Sequence, residues 1–107
     1  MIKDKGLFAY LERNLDKIKS LDADALEEII FRSSRIKAEV VEKDERDWGI
    51  RNILNYGHTV GHAIETVSDF EVGHGGAVAI GMVAAARISN KMGILRKSEL
   101  ERLKGII

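Results

Sequence analysis

The sequence predicts an all-α fold, a bundle of helices, and three observations support this prediction. The chain of 107 residues contains no proline, the residue that most often interrupts helices. Apolar residues recur at spacings of three and four along several segments, which is the period of a helix face. No segment alternates apolar and polar residues in the manner of a strand. The length suits a single helical domain that covers residues 1–107.

Two helices are expected in the first half of the chain. A stripe of apolar residues predicts the first helix between Leu7 and Ile18. After a short polar break, Asp24 and Glu27 have the spacing of a capping box, in which each side chain satisfies a free backbone amide at the start of a helix. The apolar stripe that follows predicts a second helix, which runs to about Lys43.

Three further helices are expected downstream. The first covers residues 51–67, although it contains two glycines that each cost about 1 kcal/mol relative to alanine. After a loop over residues 68–76, the segment 76–86 is apolar on every face, which predicts a helix buried at the centre of the bundle. Ser98 and Glu101 form a second predicted capping box, which opens the last helix.

Composition excludes several classes of function. The 17 basic residues are balanced by 17 acidic residues, so the chain lacks the basic surplus that nucleic-acid binding requires. The absence of cysteine excludes disulfides and thiolate metal sites. The longest apolar run, residues 77–86, is too short to cross a bilayer, and no apolar signal segment follows Met1. We therefore expect a soluble, cytoplasmic protein that binds neither nucleic acid nor membrane.

Residues with chemical potential are concentrated on one predicted helix face. Spacings of four, three, four and three place five side chains on that face: Arg51, Asn55, His58, His62 and Glu65. Two histidines at i and i+4 can bind one metal ion, so spacing alone pairs His58 with His62. Thr59 replaces the glutamate that the H-E-x-x-H proteases use as a general base, which excludes a protease of that type.

The third histidine, His74, lies among glycines. All three histidines of the chain fall within residues 58–74, and spacing alone leaves open a metal site or a purely structural role for them. The glycines do not form a dinucleotide-binding motif, because Val78 replaces the third glycine of G-x-G-x-x-G and no strand precedes it. An anion at the start of the helix near Gly76 also stays open.

Two motifs together resemble the 3-dehydroquinate synthase family. Residues 51–65 read Arg-x-x-x-Asn-x-Gly-His-Thr-x-Gly-His-Ala-Ile-Glu, and residues 74–82 read His-Gly-x-Ala-Val-Ala-Ile-Gly-Met. Residues 36–45 and 1–14 are similar to the same family in the same order, so the resemblance covers nearly the whole chain. One departure is Gly76, where the family usually has a glutamate that can help to orient His74.

The resemblance implies an activity and its cofactors. The family is a group of carbon–oxygen lyases that convert 3-deoxy-arabino-heptulosonate 7-phosphate into 3-dehydroquinate and phosphate in the shikimate pathway, with NAD and a divalent metal, usually zinc or cobalt. The implied fold is part of the all-helical C-terminal domain, truncated at both ends. NAD would be bound by a missing N-terminal nucleotide-binding domain, and no residue of this chain is assigned to it. The full enzyme is expected to be a homodimer, and this chain alone is expected to be inactive.

The resemblance also implies which residues bind the metal. His58 and His74 correspond to two of the family's metal ligands, and the third ligand is a glutamate expected upstream of Met1. This set differs from the pair that spacing alone favours. We follow the resemblance, because His62 then stays free for the substrate.

The remaining assignments concern the substrate, a phosphorylated sugar acid. Lys37, Arg51 and Asn55 correspond to substrate-binding residues, and His62 to a substrate-binding and catalytic residue. Two cations and an amide suit a ligand that carries a phosphate and a carboxylate. Three alternatives stay open: a related sugar phosphate cyclase, a metal-dependent polyol dehydrogenase, and a stand-alone helical binding module without catalytic activity.

Overall fold

The computed structural model describes residues 3–44 and 49–107. Within these ranges every regular element is a helix and none is a strand, so the all-α prediction is confirmed. The elements are α1 (Lys5–Arg13), α2 (Leu15–Lys19), α3 (Ala23–Lys43), a 3₁₀ helix (Ile50–Asn55), α4 (His58–Val67), α5 (His74–Lys91) and α6 (Lys97–Ile106). Glu45, part of the segment that resembles the synthase family, lies outside the described residues. No helix in the described ranges is both long and apolar enough to span a membrane.

The chain forms two compact units, residues 1–54 and residues 55–107. In the first unit α2 contacts both α1 and α3. In the second unit α5 contacts both α4 and α6. That all 107 residues form one domain stays a prediction.

Aspartates cap two helices of the first unit. Asp4 precedes α1 and Asp22 precedes α3, and the carboxylate of each accepts a hydrogen bond of 2.9 Å from the backbone amide three residues later. The predicted capping box of Asp24 and Glu27 is therefore wrong, because the cap is formed two residues earlier. Asp24 lies in the first turn instead, where its negative charge favours the positive end of the helix dipole. The end of α3 at Lys43 agrees with the prediction.

The first predicted helix is divided at Asn14. The side-chain amide of Asn14 donates to the backbone carbonyl of Tyr10 at 2.8 Å, and its backbone amide donates to the same carbonyl at 3.1 Å. The backbone of Asn14 has φ −118° and ψ 19°, outside the α-helical region. Asparagine offers the backbone such local hydrogen bonds in place of a continued helix, so α1 ends there and α2 follows as a separate turn.

An ion pair joins the start of α1 to α3. The guanidinium of Arg32 donates to the carboxylate of Asp4 at 2.8 Å, and both side chains are about one-fifth exposed. The hydrogen bond from Arg32 and, next, the one from the backbone amide of Leu7 lower the pKa of Asp4 from 3.8 to about 2. The folded first unit therefore favours the charged form of this carboxylate.

We expect Asp4→Asn to lower the free energy of unfolding at neutral pH by an amount that disappears in acid. Asparagine keeps the capping oxygen, so the variant removes mainly the charge. Because the folded pKa is depressed, the contribution of the charge is complete above the unfolded value of 3.8 and is lost as the pH falls through about 2. Urea unfolding followed by circular dichroism between about pH 2 and pH 7 measures this difference.

Asp22→Asn is the matched control, since Asp22 forms the same cap and the described residues show no ion pair for it. A wild-type advantage over Asp4→Asn that stays constant across the whole pH range would contradict the role of the charge.

Glycines allow α4 and α5 of the second unit to approach each other closely. A Cβ at Gly81 on α5 would overlap the carbonyl oxygen of Gly57 and would lie 2.9 Å from the backbone nitrogen of Gly61. A Cβ at Gly61 would lie 3.0 Å from the Cα of Val78. At these positions backbone packs against backbone, which only residues without a side chain permit.

The segment that was predicted to be buried at the centre is indeed helical, but it begins at His74 rather than near Gly76. Its buried residues are all small: Ala77, Gly81 and Ala86. Ile80 and Ile88 are 50% and 55% exposed, so the expectation of burial on every face is wrong. Only the face made of small residues is fully buried.

The last helix is capped by a different pair from the one predicted. Helix α6 begins at Lys97, and the carboxylate of Glu99 accepts hydrogen bonds from the backbone amide of Arg96 at 3.2 Å and from its guanidinium at 2.9 Å. The predicted capping box of Ser98 and Glu101 is therefore wrong by two residues. The charged Arg96–Glu99 pair forms the N-terminal box in its place.

Gly81→Ala is expected to destabilise the protein by about 2–4 kcal/mol, because the added methyl group would force α4 and α5 apart. The measurement is the midpoint of thermal unfolding. Gly105→Ala on α6 is the control, since a Cβ there meets no atom within 4 Å, and it should leave stability unchanged or raise it by up to about 1 kcal/mol. Equal stability of Gly81→Ala and wild type would contradict the close packing.

Candidate functional site: a histidine cluster between α4 and α5

The helix predicted over residues 51–67 is interrupted at Gly57. The preceding residues form the 3₁₀ helix, and α4 begins only at His58. Gly57 has φ +88°, in the left-handed region, and a Cβ there would lie 2.6 Å from the side chain of Met82. Both facts require glycine. The prediction that one continuous helix face carries five polar side chains is therefore wrong: three of them remain on α4, namely His58, His62 and Glu65.

The start of α5 brings the third histidine to the other two. The ring centroids are 5.5 Å apart for His58 and His62, 5.4 Å for His58 and His74, and 5.9 Å for His62 and His74. Two imidazoles that share a tetrahedral zinc ion have ring centroids roughly 5 Å apart, given Zn–N bonds of about 2.0–2.1 Å. These three residues, called the histidine cluster below, are therefore close enough together to bind one ion.

A glutamate on α4 contacts the cluster. The Oε1 of Glu65 lies 3.0 Å from the Nδ1 of His74, while the Glu65 side chain is only 13% exposed and that of His74 is 59% exposed. In the described part of the chain no lysine or arginine forms an ion pair with Glu65. Its carboxylate is therefore directed at an imidazole.

A tight turn between α4 and α5 determines where His74 lies. The backbone carbonyl of Glu65 accepts hydrogen bonds from the backbone amide of Phe70 at 2.8 Å and from the hydroxyl of Ser68 at 3.2 Å. The same hydroxyl accepts a bond of 3.4 Å from the backbone amide of Val72. Asp69 and Phe70 both have positive φ, 47° and 61°. The turn reverses the chain within a few residues, so that α5 begins beside α4.

The donor atoms of the cluster suit a divalent transition metal. The Nδ1 of His58 is buried and has no hydrogen-bond partner, which is costly for a polar atom unless a ligand satisfies it. Ligand atoms of His62, Glu65 and His74 all lie within 4.8 Å of one another. Imidazole nitrogen and carboxylate oxygen are ligands that zinc and cobalt accept. The residues present therefore fit such a metal, in more than one overlapping set.

The first set pairs His58 with His74, as the family resemblance implies. The second contains His62, Glu65 and His74. The pairing that spacing alone favours, His58 with His62, is also sterically possible, since those rings are equally close. The geometry thus brings all three histidines together without choosing between these sets.

The predicted substrate-binding residues belong to both units. Lys37 is exposed on α3. Arg51 is half-buried in the 3₁₀ helix, where its backbone amide donates to the carboxylate of Asp44 at 3.1 Å. Asn55 is exposed at the start of the second unit. The contact with Asp44 uses the backbone amide of Arg51 and not its guanidinium.

Sequence reasoning missed two residues at this site. Tyr56 donates a hydrogen bond of 3.0 Å from its hydroxyl to the backbone carbonyl of Met82, and burial raises the pKa of that hydroxyl. This bond ties the chain just before α4 to α5, and no motif indicated it. Glu65 was noted on the polar face but received no role. Its helical spacing from His58 and His62 was the available signal, whereas its contact with His74 is a tertiary one.

The model of the family described as 3-dehydroquinate synthase C-terminal matches residues 1–107. The chain belongs to this family. The match confirms the membership that the two motifs predicted. The same two motifs contain the residues of the histidine cluster.

Proteins named 3-dehydroquinate synthase from several bacteria are similar to this member of the family along its whole length. The one from Desulforamulus reducens is 49% identical over 108 residues, which cover 100% of this chain and 30% of that protein. The one from Synechococcus sp. is 49% identical over 110 residues, which cover 100% of this chain and 30% of that protein. The one from Citrifermentans bemidjiense is 45% identical over 107 residues, which cover 99% of this chain and 30% of that protein. The chain thus spans about 30% of the length of the curated relatives it matches.

Phe70→Gly is expected to stabilise the protein by about 0.5–1 kcal/mol, since glycine removes the cost of a left-handed backbone at this position. Phe70 is 73% exposed, so little packing is lost. The measurement is the thermal unfolding midpoint. Glu71→Gly is the control at an exposed neighbour that does not have positive φ, and it should lower the midpoint. A lower midpoint for Phe70→Gly as well would contradict the assignment of strain to this turn.

Proposed function

We propose that this chain is the metal-binding and substrate-binding part of a 3-dehydroquinate synthase, which converts 3-deoxy-arabino-heptulosonate 7-phosphate into 3-dehydroquinate and phosphate. One observation carries the proposal: the imidazoles of the two family motifs converge to centroid distances of 5.4–5.9 Å. A chain matched by the family over residues 1–107 supports the same activity. The proposal extends to NAD bound by the remainder of the whole protein, and to a homodimer.

His58 and His74 are the proposed metal ligands of this chain, for zinc or cobalt. Their ring centroids lie 5.4 Å apart, and the unpartnered Nδ1 of His58 is consistent with a site that a ligand completes. The family resemblance implies a glutamate as a further ligand, which is proposed to come from the rest of the whole protein. His62 then remains available for the substrate, with its ring centroid 5.5 Å from that of His58 and 5.9 Å from that of His74.

Three side chains are proposed to bind the substrate. Lys37 and Arg51 supply positive charge for a phosphate and a carboxylate, and the planar guanidinium of Arg51 can hold two oxygens at once. Asn55 supplies a neutral amide for a hydroxyl or keto oxygen. The exposure of Lys37 and Asn55 supports contact with a ligand.

His62 is proposed to move a proton at the substrate. An imidazole has one ring nitrogen that can accept a proton and one that can donate it, which suits general acid–base catalysis. When bound, NAD supplies a hydride acceptor, and the metal supplies a Lewis acid for hydroxyl oxygens. The part of this chain is to hold the anionic substrate, to orient its ring and to provide the proton carrier.

A domain exchange tests the proposed function. The 107 residues would replace the matching segment of the Desulforamulus reducens protein, which is 49% identical, and phosphate release and dehydroquinate formation would be measured. We expect activity with 3-deoxy-arabino-heptulosonate 7-phosphate. A folded, metal-loaded chimera that releases no phosphate from this substrate would contradict the proposal, and one that cyclises only another sugar phosphate would support the related cyclases instead.

Variants of the same chimera separate the roles of the histidines. His62→Ala is expected to lower kcat by about 10²–10⁴-fold, the usual contribution of a proton-transferring side chain, with metal content unchanged. His74→Ala is expected to lose bound metal, measured by elemental analysis. Lys91→Ala, at the opposite end of α5 from His74, should change neither. Loss of metal in His62→Ala with metal retained in His74→Ala would contradict the ligand assignment.

The 107-residue chain on its own is expected to form no dehydroquinate, since it matches only about 30% of the length of its relatives. The assay would supply NAD, zinc and substrate to the purified chain. Detectable product would show that this segment contains the whole activity, contrary to this expectation.

A further inference from the structure

We propose that Glu65 is a positioning residue: it accepts a hydrogen bond from the Nδ1 of His74 and so keeps the Nε2 of His74 free to bind a ligand. The inference rests on the proposed function only in taking His74 as a metal ligand. The hydrogen bond itself can be tested without any metal.

The contact fixes the tautomer of the imidazole. The distance between the Nδ1 of His74 and the Oε1 of Glu65 is 3.0 Å, which is a hydrogen bond. An ionised carboxylate has no proton to donate, so it can only accept here. The proton of a neutral His74 is therefore held on Nδ1, and the lone pair that can bind a cation is on Nε2. Carboxylates commonly orient metal-binding histidines in this way, with effects of about 10–100-fold on metal affinity.

His74 has few other restraints on its ring. Its side chain is 59% exposed, and its neighbours Gly73, Gly75 and Gly76 have no side chains to confine it. An exposed side chain samples several rotamers, and each rotamer that must be excluded on binding costs affinity. Among the described residues, Glu65 is the one whose side chain hydrogen-bonds to His74.

Glu65 itself is well placed to act as a fixed support. Its side chain is only 13% exposed. Its backbone carbonyl accepts the bonds from Phe70 and Ser68 that close the turn before α5. The backbone of Glu65 therefore stabilises the turn that precedes His74, and its side chain hydrogen-bonds to the ring of His74. The turn determines where the backbone of His74 lies, and the carboxylate of Glu65 determines how its ring is oriented.

The experiment uses the full chain labelled with ¹⁵N and prepared without metal. Long-range ¹H–¹⁵N spectra at about pH 8.5, well above the ordinary histidine pKa of about 6.5, report which ring nitrogen carries the proton. His74 is assigned from the signals lost in His74→Gln. We expect the Nδ1–H tautomer in wild type and in Glu65→Gln, whose amide oxygen still accepts, and a mixture of tautomers in Glu65→Ala. An unchanged tautomer in Glu65→Ala would overturn the proposal.

Titration with Co²⁺, followed by its visible absorption, provides the second measurement. Glu65→Ala is expected to weaken Co²⁺ binding by about 10–100-fold, and Glu65→Gln by less. Glu71→Ala removes an exposed carboxylate; among the described residues the carboxylate that hydrogen-bonds to His74 is that of Glu65, so this variant should change neither the tautomer nor the affinity. Circular dichroism confirms that the variants are folded.

The remaining outcomes distinguish the two proposals. If Glu65→Gln loses Co²⁺ affinity as severely as Glu65→Ala while keeping the tautomer, Glu65 is itself a ligand and the positioning role is wrong. If Glu65→Ala changes the tautomer but not the affinity, the positioning role is also wrong. If wild type binds no Co²⁺, the two histidines of this chain do not hold the metal without a further ligand, and the tautomer alone then decides whether Glu65 orients His74.

Discussion

Helix α4 approaches α5 so closely at Gly57, Gly61 and Gly81 that no side chain fits between the two backbones, and the histidine cluster depends on this approach. Two histidines project from α4 and one from the first residue of α5. Their rings meet because the helices that carry them are separated only by backbone atoms. A larger residue at this interface would move α4 and α5 apart and so separate the histidines that they carry, without contacting any of the three rings.

The same interface explains the local interruption of the chain before α4. The left-handed conformation of Gly57 ends the 3₁₀ helix and redirects the chain, and the hydroxyl of Tyr56 then hydrogen-bonds to the carbonyl of Met82 on α5. Packing between the helices thus overrides the tendency of a polar, periodic segment to continue as one helix. His58 occupies the first turn of the new helix, where the residue is half-buried.

The sequence predicted the fold class and showed that the three histidines lie within residues 58–74, but it did not predict how their side chains are arranged. The three-and-four spacing of apolar residues is a strong local signal, and it correctly indicated helices and the end of α3 at Lys43. The caps were misplaced by two residues at Asp22 and Arg96, because several polar residues in succession can each serve as a cap. The contact between Glu65 and His74 joins different helices, and no periodicity within one segment contains that information.

The turn between α4 and α5 has a consequence for the lengths of chain that this site can tolerate. Asp69 and Phe70 adopt left-handed conformations where the chain reverses, and His74, four residues after Phe70, is the first residue of α5. A helix rotates by about 100° per residue. Deleting or inserting a single residue in this turn would therefore direct the imidazole of His74 away from α4. Many substitutions in the same turn would leave the number of residues, and so the position of His74, unchanged.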